Sequence, residues 1–349
     1  MTLISLAGRV HFADHVLEPA LRTELEHRGL SRPLMALAPG AWEGLADRLL
    51  PALPAGGDAH VFETDVVNAE EGEARRLARR YAEAERDCIV AIGPGALIDQ
   101  AKAAALAVAT DEPLSRCAAV AGGQTRIPRG LPPLIAAPLD AGAGAEVGPA
   151  LAVTVTDGRR LVVRSRRLAP VAAICDPSLT LDLGPRPTAE GAMDAIAHCL
   201  EAYVASGCHP PAEGMALAGL RGASRALRRV LDRPGDLDAR REMMAAALNA
   251  GLAQDKGLGA AHAAAHALAA GPGNRRAHGG LLAALLPHAL AFNAPAADAR
   301  YADLAAALDL PPRADLAASI GALAAEAGLA PRLRDLGVAD EDLFAAAEA

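Results

Sequence analysis

At 349 residues, 52% of them hydrophobic, and with a mean hydropathy of +0.18, the chain is long enough for two domains and too apolar to be disordered. A formal charge of −8 argues against a partner held by its phosphate backbone, and an aromatic share of 2% argues against base stacking, so no nucleic-acid partner is expected. Cys88, Cys117, Cys175, Cys199 and Cys208 are odd in number, scattered and without a C-x-x-C pair, which predicts reduced thiols in the cytoplasm.

Asp14, Glu18, Arg22, Glu24 and Glu26 near the start speak against a secretory signal. No uninterrupted apolar run reaches the roughly 18 residues of a membrane span, so no membrane partner is expected. Apolar runs at Pro33–Ala38, Cys88–Ile92, Leu134–Ala137, Leu151–Thr156 and Val171–Cys175 are bounded by Gly, Pro or Asp and read as buried strands. Helix-period stretches such as Glu70–Glu85 and Leu97–Val108 lie between them. Strand–helix alternation predicts an α/β domain with a parallel sheet over residues 1–178. From about Thr188 the pattern is Ala/Leu-rich and helical, interrupted by Pro234-Gly235, Gly271-Pro272-Gly273 and Pro311-Pro312, which predicts an all-α domain over 179–349.

Cys88–Ile92 runs directly into Gly93-Pro94-Gly95-Ala96 and then into a helix expected to open at Leu97. A strand, a Gly turn and a helix N-terminus make an anion site, because free N–H groups and the helix dipole favour negative charge. The turn matches neither G-x-G-x-x-G nor the P-loop, and such turns often bind nothing.

Further on, Thr188 reads as the N-cap of a helix with Glu190 in its first turn. Asp194 and His198, four residues apart, share a face and can grip one divalent ion. Glu201, one turn later, reads as structural. His262 and His266 repeat the spacing, but Ala263 stands where a zincin has its general-base Glu, so a metalloprotease is not expected. His278 then opens another helix. Any one of these histidines could be an ordinary helix residue, as His11, His15, His27, His60, His209 and His288 are taken to be. Their concentration in Ala-rich helices with few polar partners favours a metal site.

These residues carry a family resemblance. Gly191-Ala192-Met193-Asp194-Ala195-Ile196-Ala197-His198-Cys199-Leu200-Glu201-Ala202-Tyr203 resembles the G-M-D-A-x-x-H-x-x-E-A-Y segment of iron-containing (group III) alcohol dehydrogenases, relatives of maleylacetate reductases and of dehydroquinate synthase-like proteins. His262, His266, His278-Gly279 and Leu286-Pro287-His288 resemble the second histidine block of that family. Asp176-Pro177-Ser178-Leu179-Thr180, Ala141–Val147 and Gly93–Lys102 are similar to its interdomain link, its A-G-T-G-S-E-V stretch and its phosphate loop.

The resemblance implies an N-terminal Rossmann-like dinucleotide-binding domain, a helical metal-binding domain and a homodimer. Metal ligands would be Asp194, His198, His262 and His278, holding Fe2+ or Zn2+, with His266 as a proton-relay group. Cofactor contacts to NAD or NADP would come from Ala38, Asn68, Gly93, Pro94, Gly95, Ala96, Asp99, Leu139, Asp140 and Leu179. The reaction implied is hydride transfer between a small alcohol, or its carbonyl form, and nicotinamide.

The chain departs from the family pattern at several points. Ala38 stands where an adenosine-ribose Asp is usual, which makes NADP at least as acceptable as NAD. Leu139-Asp140 replaces two threonines near the cofactor, and Pro94 replaces a glycine. These changes keep open a specialised or degenerate member acting with a partner or on a carrier- or peptide-bound substrate, and a non-redox lyase on the same scaffold is a further alternative. The basic run Arg159–Arg167 reads as a solvated hairpin or charged edge strand, or more sharply as an anion contact for cofactor phosphate or an acidic substrate.

Overall fold

The computed structural model describes residues 8–55, 57–271 and 273–348, so Pro272 of the expected Gly271-Pro272-Gly273 turn lies outside the described residues. The elements in chain order are β1 (Arg9–Phe12), α1 (Leu17–Arg28), β2 (Pro33–Leu37), α2 (Ala41–Leu49), β3 (His60–Glu63), β4 (Ala69–Glu70), α3 (Glu71–Glu83), β5 (Cys88–Gly93) and α4 (Gly95–Ala109). They continue with β6 (Leu134–Pro138), β7 (Ala150–Thr154), β8 (Arg160–Arg164) and β9 (Ala172–Cys175). The rest is helical: α5 (Pro185–Val204), α6 (Pro210–Asp232), α7 (Leu237–Ala253), α8 (Ala260–Leu268), α9 (His278–Asn293), α10 (Asp298–Ala307), α11 (Leu316–Glu326) and α12 (Asp340–Glu348).

Six strands form a parallel sheet in the order β1-β9-β6-β5-β2-β3. Its central strands read as continuous apolar runs because both faces are covered. Leu34, Ala36, Ile89 and Ala91 pack with α3 and α4, while Met35, Leu37, Val90 and Ile92 turn to α1 and α2. The alternation is the two-residue period of a strand. The chain leaves β2 toward β3 and returns to β5 on the other side of β2, so the strand order reverses between β2 and β5. Ligands of open α/β sheets bind outside the carboxyl ends of strands at such a point. A smaller sheet, β4-β7-β8, has β7 and β8 antiparallel. The basic run therefore does contain an edge strand, as expected of a hairpin.

In the helical half α5 is buried on nearly every side, between α6, α7 and α9. Alanines let these helices approach closely. His278–Ala296 is long and apolar enough to cross a membrane by length and composition. It packs against α5, α8 and α11 in the manner of a core helix.

Two sequence expectations are corrected here. Helix α4 opens at Gly95, not Leu97, because Pro94 has extended backbone and its carbonyl accepts the first helical bonds. Thr188 is not an N-cap: α5 opens at Pro185, whose fixed φ suits a first helical position, and Gly184 is the cap. The Thr188 hydroxyl instead donates back to the Gly184 carbonyl at 2.8 Å, and Glu190 lies beyond the first turn, paired with Arg186.

Candidate metal centre and cofactor cleft

A cleft of about 1180 Å³ lies between the carboxyl end of the main sheet and the helices. Asp194 and His198 project toward it from α5, His262 and His266 belong to α8, and His278 is the first residue of α9. One imidazole or carboxylate atom each from Asp194, His262 and His278 lies within 4.8 Å of the others. Asp194 Oδ1 is 4.0 Å from His262 Nε2 and 3.9 Å from His278 Nε2. His198 adjoins this group through Nδ1, 3.0 Å from Asp194 Oδ1 and 3.1 Å from His262 Nε2. Ligands about 2.0–2.2 Å from a tetrahedral ion stand roughly 3.3–3.6 Å apart, so small side-chain adjustments would suffice to enclose one.

The donor set itself fits a divalent cation. Among the described residues, His278 Nδ1 is buried without a hydrogen-bond partner, and Asp194 Oδ1 has His198 Nδ1 at 3.0 Å but no aligned hydrogen bond. His262 Nε2 and His198 Nδ1 stand within hydrogen-bond reach of each other at 3.1 Å. Burial, then the neighbouring rings of His266 and His262, hold His278 well below the usual histidine range. Burial and His198 also lower His262. For His198 burial works against the charged form, but Asp194 outweighs it and the net direction is up. Neutral imidazoles are the form that ligates.

Glu201 is structural, as the sequence suggested, and its role is specific. Its carboxylate accepts from the backbone N–H of Gly259 and of Ala261 at 2.8 Å each, closing the free N-terminus of α8. It also lies 2.6 Å from His262 Nδ1, which leaves Nε2 turned toward Asp194. His266 stands beside this group, its ring stacked 4.8 Å from that of His278 at an interplanar angle of 19°.

Of the expected cofactor residues, Asn68, Pro94, Gly95, Ala96, Asp99 and Asp140 line the cleft. Ala38, Gly93, Leu139 and Leu179 do not. Gly93 ends β5 within the sheet, Ala38 follows β2 against the α3/α4 core, and Leu139 and Leu179 pack on the opposite core. Asp99 is partly committed, since its Oδ2 accepts from Ala152 N–H at 3.0 Å. Lys102 is fully buried and donates to the Gly148 and Ala150 carbonyls at 3.0 and 2.8 Å, which makes it a support for β7.

Asp140 turns into the phosphate loop, its Oδ2 3.4 Å from Gly95 N–H. Burial raises its carboxyl to about 6, and Asp194 adds to the rise. The 273–277 loop walls the cleft, a role that no local pattern marks. Asn68 Nδ2 donates to the Asn274 carbonyl at 2.6 Å and so ties that loop to the α/β half.

A metal-suited triad beside the switch point of a doubly wound sheet defines a class of metal-dependent dinucleotide enzymes. Residues 7–177 match the family model described as iron-containing alcohol dehydrogenase, and residues 188–349 match that of the Fe-containing alcohol dehydrogenase family, C-terminal. The chain belongs to the iron-containing alcohol dehydrogenase family. It is 39% identical over 352 residues to 4-hydroxybutyrate dehydrogenase of Cupriavidus necator, covering 99% of this chain and 91% of that one. A 1,3-propanediol dehydrogenase of Citrobacter freundii is 32% identical over 311 residues, covering 86% of this chain and 79% of that one. The crystal structure of a 1,3-propanediol oxidoreductase superposes with a TM-score of 0.89 at 28% identity, covering 100% of this chain and 93% of that one. Membership makes the protein an oxidoreductase of CH–OH donors that uses a divalent metal and a nicotinamide dinucleotide.

Proposed function

We propose that Asp194, His198, His262 and His278 hold one iron or zinc ion, and that a small aliphatic alcohol or its carbonyl form is interconverted with nicotinamide at that point. The meeting of Asp194, His262 and His278 from three helices beside one cleft, with His198 against Asp194, is the observation that carries the reading. When bound, the metal supplies Lewis acidity toward the alcohol or carbonyl oxygen. The chain's own residues do the rest. Glu201 orients His262, while the amides at the start of α4 and the wall from Pro94 to Ala96 receive the dinucleotide. His266, held neutral by burial, is placed to pass a proton through its Nδ1, which has no hydrogen-bond partner among the described residues.

We read residues 1–178 as the dinucleotide-binding domain and 179–349 as the metal-binding one. The name of the 39% relative supports a short hydroxy acid as the first substrate to try. A second reading, weak binding of free dinucleotide, is favoured by one observation: the Asp140 carboxyl sits on the amide meant for a pyrophosphate. Fluorescence titration with NADH and NADPH, followed by nicotinamide absorbance with short alcohols in metal-replete protein, tests the proposal. Saturable binding and metal-dependent turnover are expected. Failure of both dinucleotides to bind supports the second reading instead.

A further inference from the structure

Along β8, Arg160, Val162 and Arg164 line the cleft while Leu161 and Val163 pack in the core behind. Arg164 is committed, since its guanidinium holds the Asp255 carboxylate at 2.6 Å and the Asp255 carbonyl at 3.1 Å. Arg160 is not. Among the described residues, its Nε and Nη1 are buried without a hydrogen-bond partner. Burial lowers the guanidinium to about 10 even with Asp99 in reach. Guanidinium nitrogens buried without a partner are costly, and the planar fork of a guanidinium matches a carboxylate bidentately.

Position narrows the ligand. Arg160 lines the same cleft as Asp194, His266 and His278, and β8 packs against α8, the helix that carries His266, so Arg160 stands at the metal end of the cleft. The turn before β8 is pinned there, because the Gly158 carbonyl accepts from Gly271 N–H at 2.9 Å. The first turn of α4 carries the Ala96 amide, and the Gly95 amide now met by Asp140, for a cofactor phosphate.

We infer that Arg160 receives the carboxylate of a short ω-hydroxy acid or of the matching aldehyde acid, whose far oxygen reaches the Asp194/His262/His278 centre. This rests on the metal and nicotinamide reading above and adds the substrate class and the residue that selects it. Arg160 is a specificity-determining residue: it acts on the end of the substrate away from the hydride.

The test compares 4-hydroxybutyrate with 1,4-butanediol, equal in carbon number and differing in charge, in metal-replete protein and in Arg160→Met and Arg160→Lys. Arg160→Met should raise KM for 4-hydroxybutyrate by roughly 10- to 100-fold, the scale of hydrogen bonds to a charged group. KM for 1,4-butanediol and the dissociation constants of NADH and NADPH should stay within about threefold of those of the parent protein. Arg160→Lys should recover part of the loss, and it serves alone should Arg160→Met not fold. Equal loss on both substrates overturns the inference. So does a parallel weakening of dinucleotide binding, which would assign Arg160 to a cofactor phosphate. If neither substrate turns over, calorimetry with butyrate decides. Butyrate binding lost in the variant sustains the carboxylate site while the redox reading falls, and binding unchanged overturns the site.

Discussion

Glu201 and His262 form a hydrogen bond of 2.6 Å between carboxylate and Nδ1, and it fixes which imidazole nitrogen faces Asp194. Carboxylate–histidine pairs of this kind orient a ligating ring, and removing the carboxylate typically costs about 10- to 100-fold in metal affinity. Glu201→Gln should therefore weaken metal retention by that order while leaving far-ultraviolet circular dichroism unchanged. Competition with a graded chelator measures it, and an unchanged affinity would contradict the orienting role.

The Asp140 carboxyl, raised to about 6 by burial, should set a pH dependence of cofactor binding. Below that value it is mostly neutral and tolerates a pyrophosphate at the Gly95 amide; above it the charged carboxylate repels one. NADH affinity should weaken as pH rises through about 6 in the parent protein and stay flat in Asp140→Asn. Equal slopes in the two proteins would show that Asp140 does not meet the cofactor.

Glu146 is buried, and desolvation lifts its carboxyl from 4.5 to about 7. A carboxyl whose folded value is raised contributes stability that is fully present below the unfolded value and lost as pH rises through the folded one. The loss falls between about 4.5 and 7 and amounts to roughly 3 kcal/mol as an order of magnitude. Urea unfolding at pH 5 and pH 8 should show Glu146→Gln less pH-sensitive than the parent, with the gain at pH 8.

Helices α5 and α9 meet where Gly279 faces the Glu190 carbonyl. A Cβ added to Gly279 would lie 2.0 Å from that oxygen, whereas one on Gly280 would meet only the flexible end of Glu190 at 3.3 Å. Gly279→Ala should destabilise by about 1–3 kcal/mol or more and loosen metal retention through its neighbour His278. Gly280→Ala is the mild control. Thermal unfolding of the two variants, with their metal content, makes the comparison, and equal behaviour would contradict it.

Much of this was legible in sequence because buried parallel strands are apolar throughout, as β2, β5, β6 and β9 are. Strands β1 and β3 gave no such signal, since both are partly exposed at the sheet edges. Asp194, His198 and His262 were visible through helical spacing and resemblance. The closeness of His278 depends on the Gly279 crossing, which no local pattern encodes. Arg160 was hidden inside a basic run of which it is the unpartnered cleft member, and only burial separates it from Arg159, exposed and paired with Asp157.

The central claim is that three imidazoles and the Asp194 carboxylate hold one ion. Elemental analysis of protein reconstituted with iron or zinc and dialysed against a weak chelator tests it most directly, beside Asp194→Ala and His262→Ala. One metal per chain in the parent and almost none in either variant is the predicted result. Full occupancy in either variant, or no metal in the parent, would contradict it.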